Sequence, residues 1–367
     1  MSTAPAPARR AERLGSLLQR AWAGRGRLST FLLPLSWLFR LVTDVRRALY
    51  ARGWLASARL PVPVLVVGNL IVGGAGKTPT VIAVVHLLRA RGYVPGIVSR
   101  GYGGRLEGVR DVEPGDAAMQ VGDEPLLLRR RTGAPVVVAR DRVAAGRALL
   151  RSHPEVDVVV GDDGLQHLAL QRDAEVIVFD ERGAGNGRLL PAGPLREPVP
   201  RRLGERQVAL YNAPAASTSL PGHLARRRLA GAVALQDWWR GEPPALAVLS
   251  SLRGRKVLAV AGLARPARFF AMLREHGIDA DERALDDHHD FASLPWPPGT
   301  GDVILTEKDA VKLPPSRRIE ARIWVAALDF EPEPGFASAL LSLLPPPRTA
   351  SLPHDPPASL SHGNPPA

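Results

Sequence analysis

The segment Gly68-Asn69-Leu70-Ile71-Val72-Gly73-Gly74-Ala75-Gly76-Lys77-Thr78-Pro79 constrains this chain more than any other. It stands between an apolar run, Val62 to Val67, and a helical pattern, Val81 to Leu88. A glycine-rich turn between a buried strand and a helix offers unpaired backbone N–H groups to an anion. Lys77 adds a charge that can reach β- and γ-phosphates, and Thr78 supplies a hydroxyl for Mg²⁺. The turn is therefore expected to cradle a nucleoside triphosphate through Gly73, Gly74, Ala75, Gly76, Lys77 and Thr78.

The usual spacing of such a loop wants glycine at position 71, where this chain has Ile71. What remains, Gly-Gly-x-Gly-Lys-Thr, is similar to the ParA/MinD-like branch of phosphate-loop proteins, which carries an extra lysine where this chain has Val72. Lysine is scarce here: Lys77, Lys256, Lys308 and Lys312 are the only four among 48 basic residues. A compact ammonium fits inside a phosphate loop where a planar guanidinium does not.

At 367 residues the chain has room for two domains of ordinary size. The absence of cysteine excludes disulfides, thiolate metal sites and cysteine nucleophiles. A formal net charge of +12 favours anionic partners, among them phosphorylated substrates, anionic lipid and nucleic acid. No recognised DNA- or RNA-binding module accompanies the charge, so no nucleic-acid partner is expected. The most apolar stretch, Phe31 to Val42, is interrupted by Pro34, Ser36 and Arg40 and is too short to span hydrocarbon. It also lacks the pattern of a cleaved signal.

Residues 1–27 form a basic segment. Residues 28–60 read as an amphipathic helical region, with Leu35, Leu38, Leu41, Val42, Val45 and Leu49 at helical spacing. Its arginines and its flanking Trp37 and Trp54 suit a helix lying on a membrane surface, and equally one docked on the protein's own core. From residue 61 to 203, short apolar runs at 62–67, 94–99, 135–139, 156–161 and 175–179 alternate with helices at 78–91, 123–132 and 142–152. That alternation predicts an α/β fold, a mostly parallel sheet of phosphate-loop NTPase type with helices on both faces. The pattern weakens over 204–245, read as a connecting segment. A second, smaller α/β domain is expected over 246–345, with strands at 257–261, 302–305 and 323–327 and a helix at 266–276. Residues 346–367 are rich in Pro, Ser and His and are expected to be disordered.

The strand at 156–161 ends in Gly161-Asp162-Asp163-Gly164-Leu165-Gln166-His167. Carboxylates at the carboxyl end of a parallel strand face the ligand crevice, the expected place for an Mg²⁺-holding aspartate. Ser99-Arg100-Gly101-Tyr102 follows another strand end and could grip an anionic or sugar-bearing substrate. Asp123, at the start of a helix, reads from spacing alone as an N-cap. Leu285-Asp286-Asp287-His288-His289-Asp290-Phe291 could bind metal, cap a helix or move a proton. Thr306-Glu307-Lys308-Asp309 follows a strand, but its order is not that of a guanine-reading motif.

Taken in order, these blocks resemble the tetraacyldisaccharide 4′-kinase family. Further carriers are Leu33-Pro34-Leu35-Ser36-Trp37-Leu38, Gly185-Asn186-Gly187, Leu190 to Glu197, Ala261 to Pro266, Asp287-His288-His289 and Thr306 to Ala310. The resemblance covers about Leu32 to Leu344. It implies an enzyme that uses ATP and Mg²⁺ to phosphorylate the 4′-hydroxyl of an acylated glucosamine disaccharide 1-phosphate. The site would be the cytoplasmic face of the bacterial inner membrane, with the N-terminal helix on the membrane surface. By resemblance, Asp123 accepts the hydroxyl proton with His288 orienting it, and Lys77 meets the phosphates. Thr78, Asp162 and Asp163 attend the metal with help from Glu197, and Arg100, Tyr102 and Arg196 contact substrate. A ParA/MinD-like ATPase switch on membrane or nucleic acid is the alternative.

Overall fold

The computed structural model describes residues 22, 24–104, 107–287 and 289–348. A short helix α1 (Arg27–Phe31) leads into α2 (Leu33–Ala51), which Pro34 opens from its first turn. Ser36 is buried on the inner side of α2. Its hydroxyl donates to the Leu189 carbonyl (2.9 Å) and accepts from the Ala192 amide (3.0 Å). The apolar side faces outward: Leu35, Leu38, Leu41 and Val42 are each about 60 % exposed, and Trp37 66 %. The leucine stripe read from the sequence is therefore not packed on the protein's own core. Among the described residues no helix is long and apolar enough to cross a membrane.

The first half of the sheet follows. β1 (Val64–Gly68) is buried at every position and runs into the glycine-rich turn and α3 (Lys77–Arg89). Val81, Val84, Val85 and Leu88 give α3 its buried stripe at helical spacing. Then come β2 (Pro95–Ser99), β3 (Val109–Asp111), α4 (Ala118–Val121) and α5 (Asp123–Thr132). α5 carries Asp123 and Glu124 in its first turn and three arginines in its last, the charge order its dipole favours. β4 (Val136–Ala139), α6 (Arg142–Ser152), β5 (Val158–Asp162) and β6 (Ala174–Asp180) complete this unit.

Residues 204–245 carry more regular structure than their pattern suggests. β7 (Gln207–Asn212) pairs in parallel with β6. β8 (His223–Ala234) pairs in parallel with β7 at Leu210↔His223 and Tyr211↔Leu224, and α7 (Leu235–Arg240) follows. Beyond α8 (Leu246–Ser250) lie β9 (Val257–Ala261), α9 (Pro266–Glu275), β10 (Ala280–Ala284), β11 (Asp302–Thr306), α10 (Glu307–Ala310), β12 (Arg322–Pro332) and α11 (Pro334–Leu341). β12 runs antiparallel to β8 from Trp324↔Ala234 to Pro332↔Ala225. The result is one sheet of twelve strands in the order β10-β9-β11-β12-β8-β7-β6-β1-β5-β2-β4-β3. Apart from β12/β8 and the β3/β4 edge, its neighbours are parallel. One apolar cluster joins Leu65, Val84 and Leu126 to Val325 and Phe336, so the two ends of the sheet share a core.

Candidate active site

The carboxyl ends of β1, β2 and β5 open on the same edge, as expected of parallel neighbours. At the end of β1, Gly76 sits at φ 92° and begins α3. Glycine is required there twice over: the left-handed conformation disfavours other residues, and a Cβ would lie 2.1 Å from Asn212 Nδ2. Asn212 Nδ2 donates to the Ala75 carbonyl (2.9 Å), while Arg182, paired with Asp180, donates to the Gly74 carbonyl (3.2 Å). The loop carbonyls are thus engaged from behind. Lys77 Nζ donates to Asn69 Oδ1 (3.1 Å) and lies 3.6 Å from Asp163 Oδ1.

Asp162 closes β5 and is buried. Its Oδ2 accepts from the Ser99 hydroxyl (3.0 Å), whereas Oδ1 is buried with no hydrogen-bond partner. Burial pushes the Asp162 carboxyl up to about 7. Repulsion from Glu124 and Asp163 adds to this, against Lys77 and the Ser99 hydrogen bond. A buried carboxylate oxygen without a donor, near Lys77 and the phosphate turn, fits a hard divalent cation such as Mg²⁺. Among the described residues no cluster of His, Asp and Glu could hold a metal ion alone.

Asp163 adopts φ 49°. Its two oxygens each lie 3.2 Å from Arg196 Nη1, which also donates to Gln166 Oε1 (3.2 Å). Glu197 is buried beside them. Its Oε1 accepts from Gln166 (2.7 Å) and its Oε2 pairs with Arg47 of α2. Arg100 and Tyr102 are exposed on the loop after β2.

Asp123 is the first residue of α5, and Gly122 rather than Asp123 is the N-cap. Gly122 has φ 96°, and a Cβ there would meet the Tyr102 carbonyl at 2.8 Å, so the α5 start packs directly on the β2 loop. Asp123 is buried. Its Oδ1 accepts from the Glu124 amide (2.9 Å), and its Oδ2 lies 3.5 Å from Lys312 Nζ and 4.0 Å from Lys308 Nζ. Lys308 Nζ also donates to Glu124 Oε1 and to Asp287 Oδ1, each at 3.1 Å. Burial alone would lower the Lys308 pKa, but Glu124, Asp123 and Asp287 outweigh it and hold it above its ordinary value. His288 lies outside the described residues. The next residue, His289, turns its Nδ1 to the Phe291 amide (3.1 Å).

One cleft of about 530 Å³ joins the phosphate loop to the start of α5 and the turn after β11. Gly74, Gly76, Lys77 and Thr78 line it together with Glu124, Asp287, Glu307 and Lys308. A phosphate loop, a metal-ready aspartate and a buried carboxylate beside ammonium groups can together carry out phosphoryl transfer to an alcohol.

The model of the family described as Tetraacyldisaccharide-1-P 4'-kinase matches residues 28–345. The chain belongs to the tetraacyldisaccharide 4′-kinase family. It is 55 % identical over 351 residues to the Tetraacyldisaccharide 4'-kinase of Methylibium petroleiphilum, covering 94 % of this chain and 98 % of that one. It is 55 % identical over 339 residues to that of Leptothrix cholodnii, covering 91 % and 97 %. A crystal structure of LpxK from Aquifex aeolicus in complex with ATP superposes with a TM-score of 0.71 at 28 % identity, covering 87 % of this chain and all of that one. Membership in the 4′-kinase family favours a kinase over the ATPase-switch alternative.

Within this 4′-kinase fold, sequence reasoning missed several site residues. Ser99 and Gln166 were visible inside motifs but carried no readable role. Lys308 and Lys312 had one signal, the rarity of lysine, but nothing local connects them to Asp123 some 185 positions away.

Proposed function

We propose that this protein transfers the γ-phosphoryl group of ATP to the 4′-hydroxyl of a tetraacylated glucosamine disaccharide 1-phosphate, a step in making lipid A. The observation that carries the reading is one cleft lined by the phosphate loop, by Glu124 of α5 and by Lys308. Lys77 and the loop amides hold the β- and γ-phosphates and meet the charge that spreads over the transferring group. Bound Mg²⁺, at Thr78 and Asp162 with Asp163 close by, would neutralise further phosphate charge. Asp123 accepts the hydroxyl proton, and His288 orients it. Arg100, Tyr102 and Arg196 grip the substrate, and Glu197 supports the site through Gln166. Residues 61–203 and 246–345 act as the two sides of the cleft, joined by 204–245, and exclude the water that would otherwise accept the phosphoryl group.

The substrate's acyl chains stay in a bilayer, so we further infer that the protein works on the membrane surface, on the cytoplasmic side where ATP is available. The outward stripe Leu35, Leu38, Leu41, Val42 and the exposed Phe31 and Trp37 support this, since nothing else in the fold covers them among the described residues. Nucleic acid has no part in the reading.

The test is incubation with ATP, Mg²⁺ and disaccharide 1-phosphate lipid in detergent, scored by product mass. The wild-type enzyme adds one phosphate. Asp123→Ala loses at least about a hundredfold in turnover and still binds ATP. Near-normal turnover of Asp123→Ala would remove it as the proton acceptor.

A further inference from the structure

Thr306, Glu307 and Lys308, in the turn after β11, line the cleft, yet the transfer step above gives none of them a stated role. Two of the chain's four lysines line the cleft, Lys77 in the phosphate loop and Lys308 after β11, and Lys312 follows four positions after Lys308. Lys308 and Lys312 both approach the same oxygen, Asp123 Oδ2, at 4.0 and 3.5 Å.

The platform under these lysines is rigid. Asp309 is fully buried, and its Oδ2 accepts from the Thr306 hydroxyl (2.7 Å) and the Gly262 amide (3.1 Å). A Cβ on Gly262 would come within 2.7 Å of Asp309 Oδ1, so β9 packs closely on the turn. The Lys312 ammonium is held between Asp123 and Asp309 Oδ1 (3.5 Å) and lies 5.7 Å from the Phe291 ring centre. The Lys308 ammonium donates to Glu124 and Asp287 and pairs electrostatically with Asp123 Oδ2 at 4.0 Å. A guanidinium presents its donors in a flat fork and cannot stand between three carboxylates in this way.

We propose that Lys308 and Lys312 are positioning residues that fix the Asp123 carboxylate where it meets the acceptor hydroxyl, so that the proton acceptor is complete only when the β11 turn docks on α5. This rests on Asp123 being the acceptor. In that step the hydroxyl O–H bond breaks and its proton passes to Asp123. The oxygen bonds to the γ-phosphorus as the bond to the β,γ-bridging oxygen breaks and ADP leaves. The lysines act on the orientation of Asp123 and on nothing that is transferred.

The test is a double-mutant cycle on the full chain, with ATP, Mg²⁺ and detergent-dispersed disaccharide 1-phosphate lipid and radiolabelled transfer as the readout. Lys308→Met is expected to lower kcat about thirtyfold while KM for ATP changes less than about threefold. Lys308→Arg, which keeps the charge without the three-way geometry, recovers only about threefold of that loss. In an Asp123→Asn background, Lys308→Met changes kcat by less than about twofold, because the group it positions is already gone. Full multiplication of the two losses would overturn the inference and place Lys308 on the phosphates instead. So would a wild-type kcat in Lys308→Met, or a thermal midpoint that falls in step with activity without recovery in Lys308→Arg. If Lys308→Met does not fold, Lys312→Met enters the same cycle with the same expectations. A wild-type enzyme that transfers no phosphate to the lipid refutes the functional reading itself, and this inference with it.

Discussion

Asp162 is the residue whose chemistry is most strongly set by its surroundings. Its folded pKa of about 7 lies above the value of about 3.9 expected in the unfolded chain. As pH rises through that window the unfolded chain releases the proton first, so the metal-free protein loses stability from this group, by about 1.4 kcal/mol per pH unit at the steepest. Asp162→Asn removes the charge and should flatten the slope. Urea unfolding of chelator-treated protein at pH 5 and pH 7 checks this: the wild type should lose about 1–3 kcal/mol more than the variant. Parallel losses would show that Asp162 is ionised in the metal-free fold. Metal binding must displace the same proton, so metal affinity is expected to climb as pH rises towards 7. The aspartate was legible in the sequence because it ends an apolar strand. Its partner Ser99 was not, because the pairing depends on β2 lying beside β5 across 63 positions.

At the scale of elements, α2 reverses the usual order of an amphipathic helix. A polar residue, Ser36, anchors it inward and its leucines face out. Replacing Leu38 and Leu41 together by Asp should weaken binding to anionic vesicles at least about tenfold, while turnover on detergent-dispersed lipid stays within about twofold. Co-sedimentation and the mass assay measure the two effects, and undiminished vesicle binding would remove α2 as the docking element. The sequence showed the stripe but not its direction, since spacing is the same for a stripe facing core or membrane. The spans of α5, α6 and β9 match their sequence patterns. β10 was missed because it is an edge strand of mostly charged, exposed residues, paired only with β9. β12 runs longer than its apolar run because antiparallel pairing with β8 carries it on to Pro332.

For the whole molecule, the telling region is 204–245. β8 holds Arg226, Arg227 and Arg228 in succession and so lacks a strand's alternation. Arg228 is satisfied across the ladder by Asp329 and Glu331 of β12, a pairing no local pattern contains. The far side of the cleft reaches α5 through Arg130. Its guanidinium lies 4.5 and 4.2 Å from the rings of Trp238 and Trp239 and donates to both their carbonyls. Arg131 adds an ion pair with Glu307. Arg130→Ala should therefore cost about 2 kcal/mol of stability and lower kcat along with it, because α5 carries Asp123. Denaturant unfolding and the transfer assay report the two effects, and a variant as stable and as active as wild type would show that this contact does not hold the halves together. The central claim, that a triphosphate held at the end of β1 gives its terminal group to one sugar hydroxyl, is tested most directly by proton–phosphorus correlation NMR of the purified product. A new phosphate coupled to the proton on carbon 4′, with the 1-phosphate retained, is the predicted result; coupling at any other carbon, or free phosphate with unchanged lipid, would contradict it.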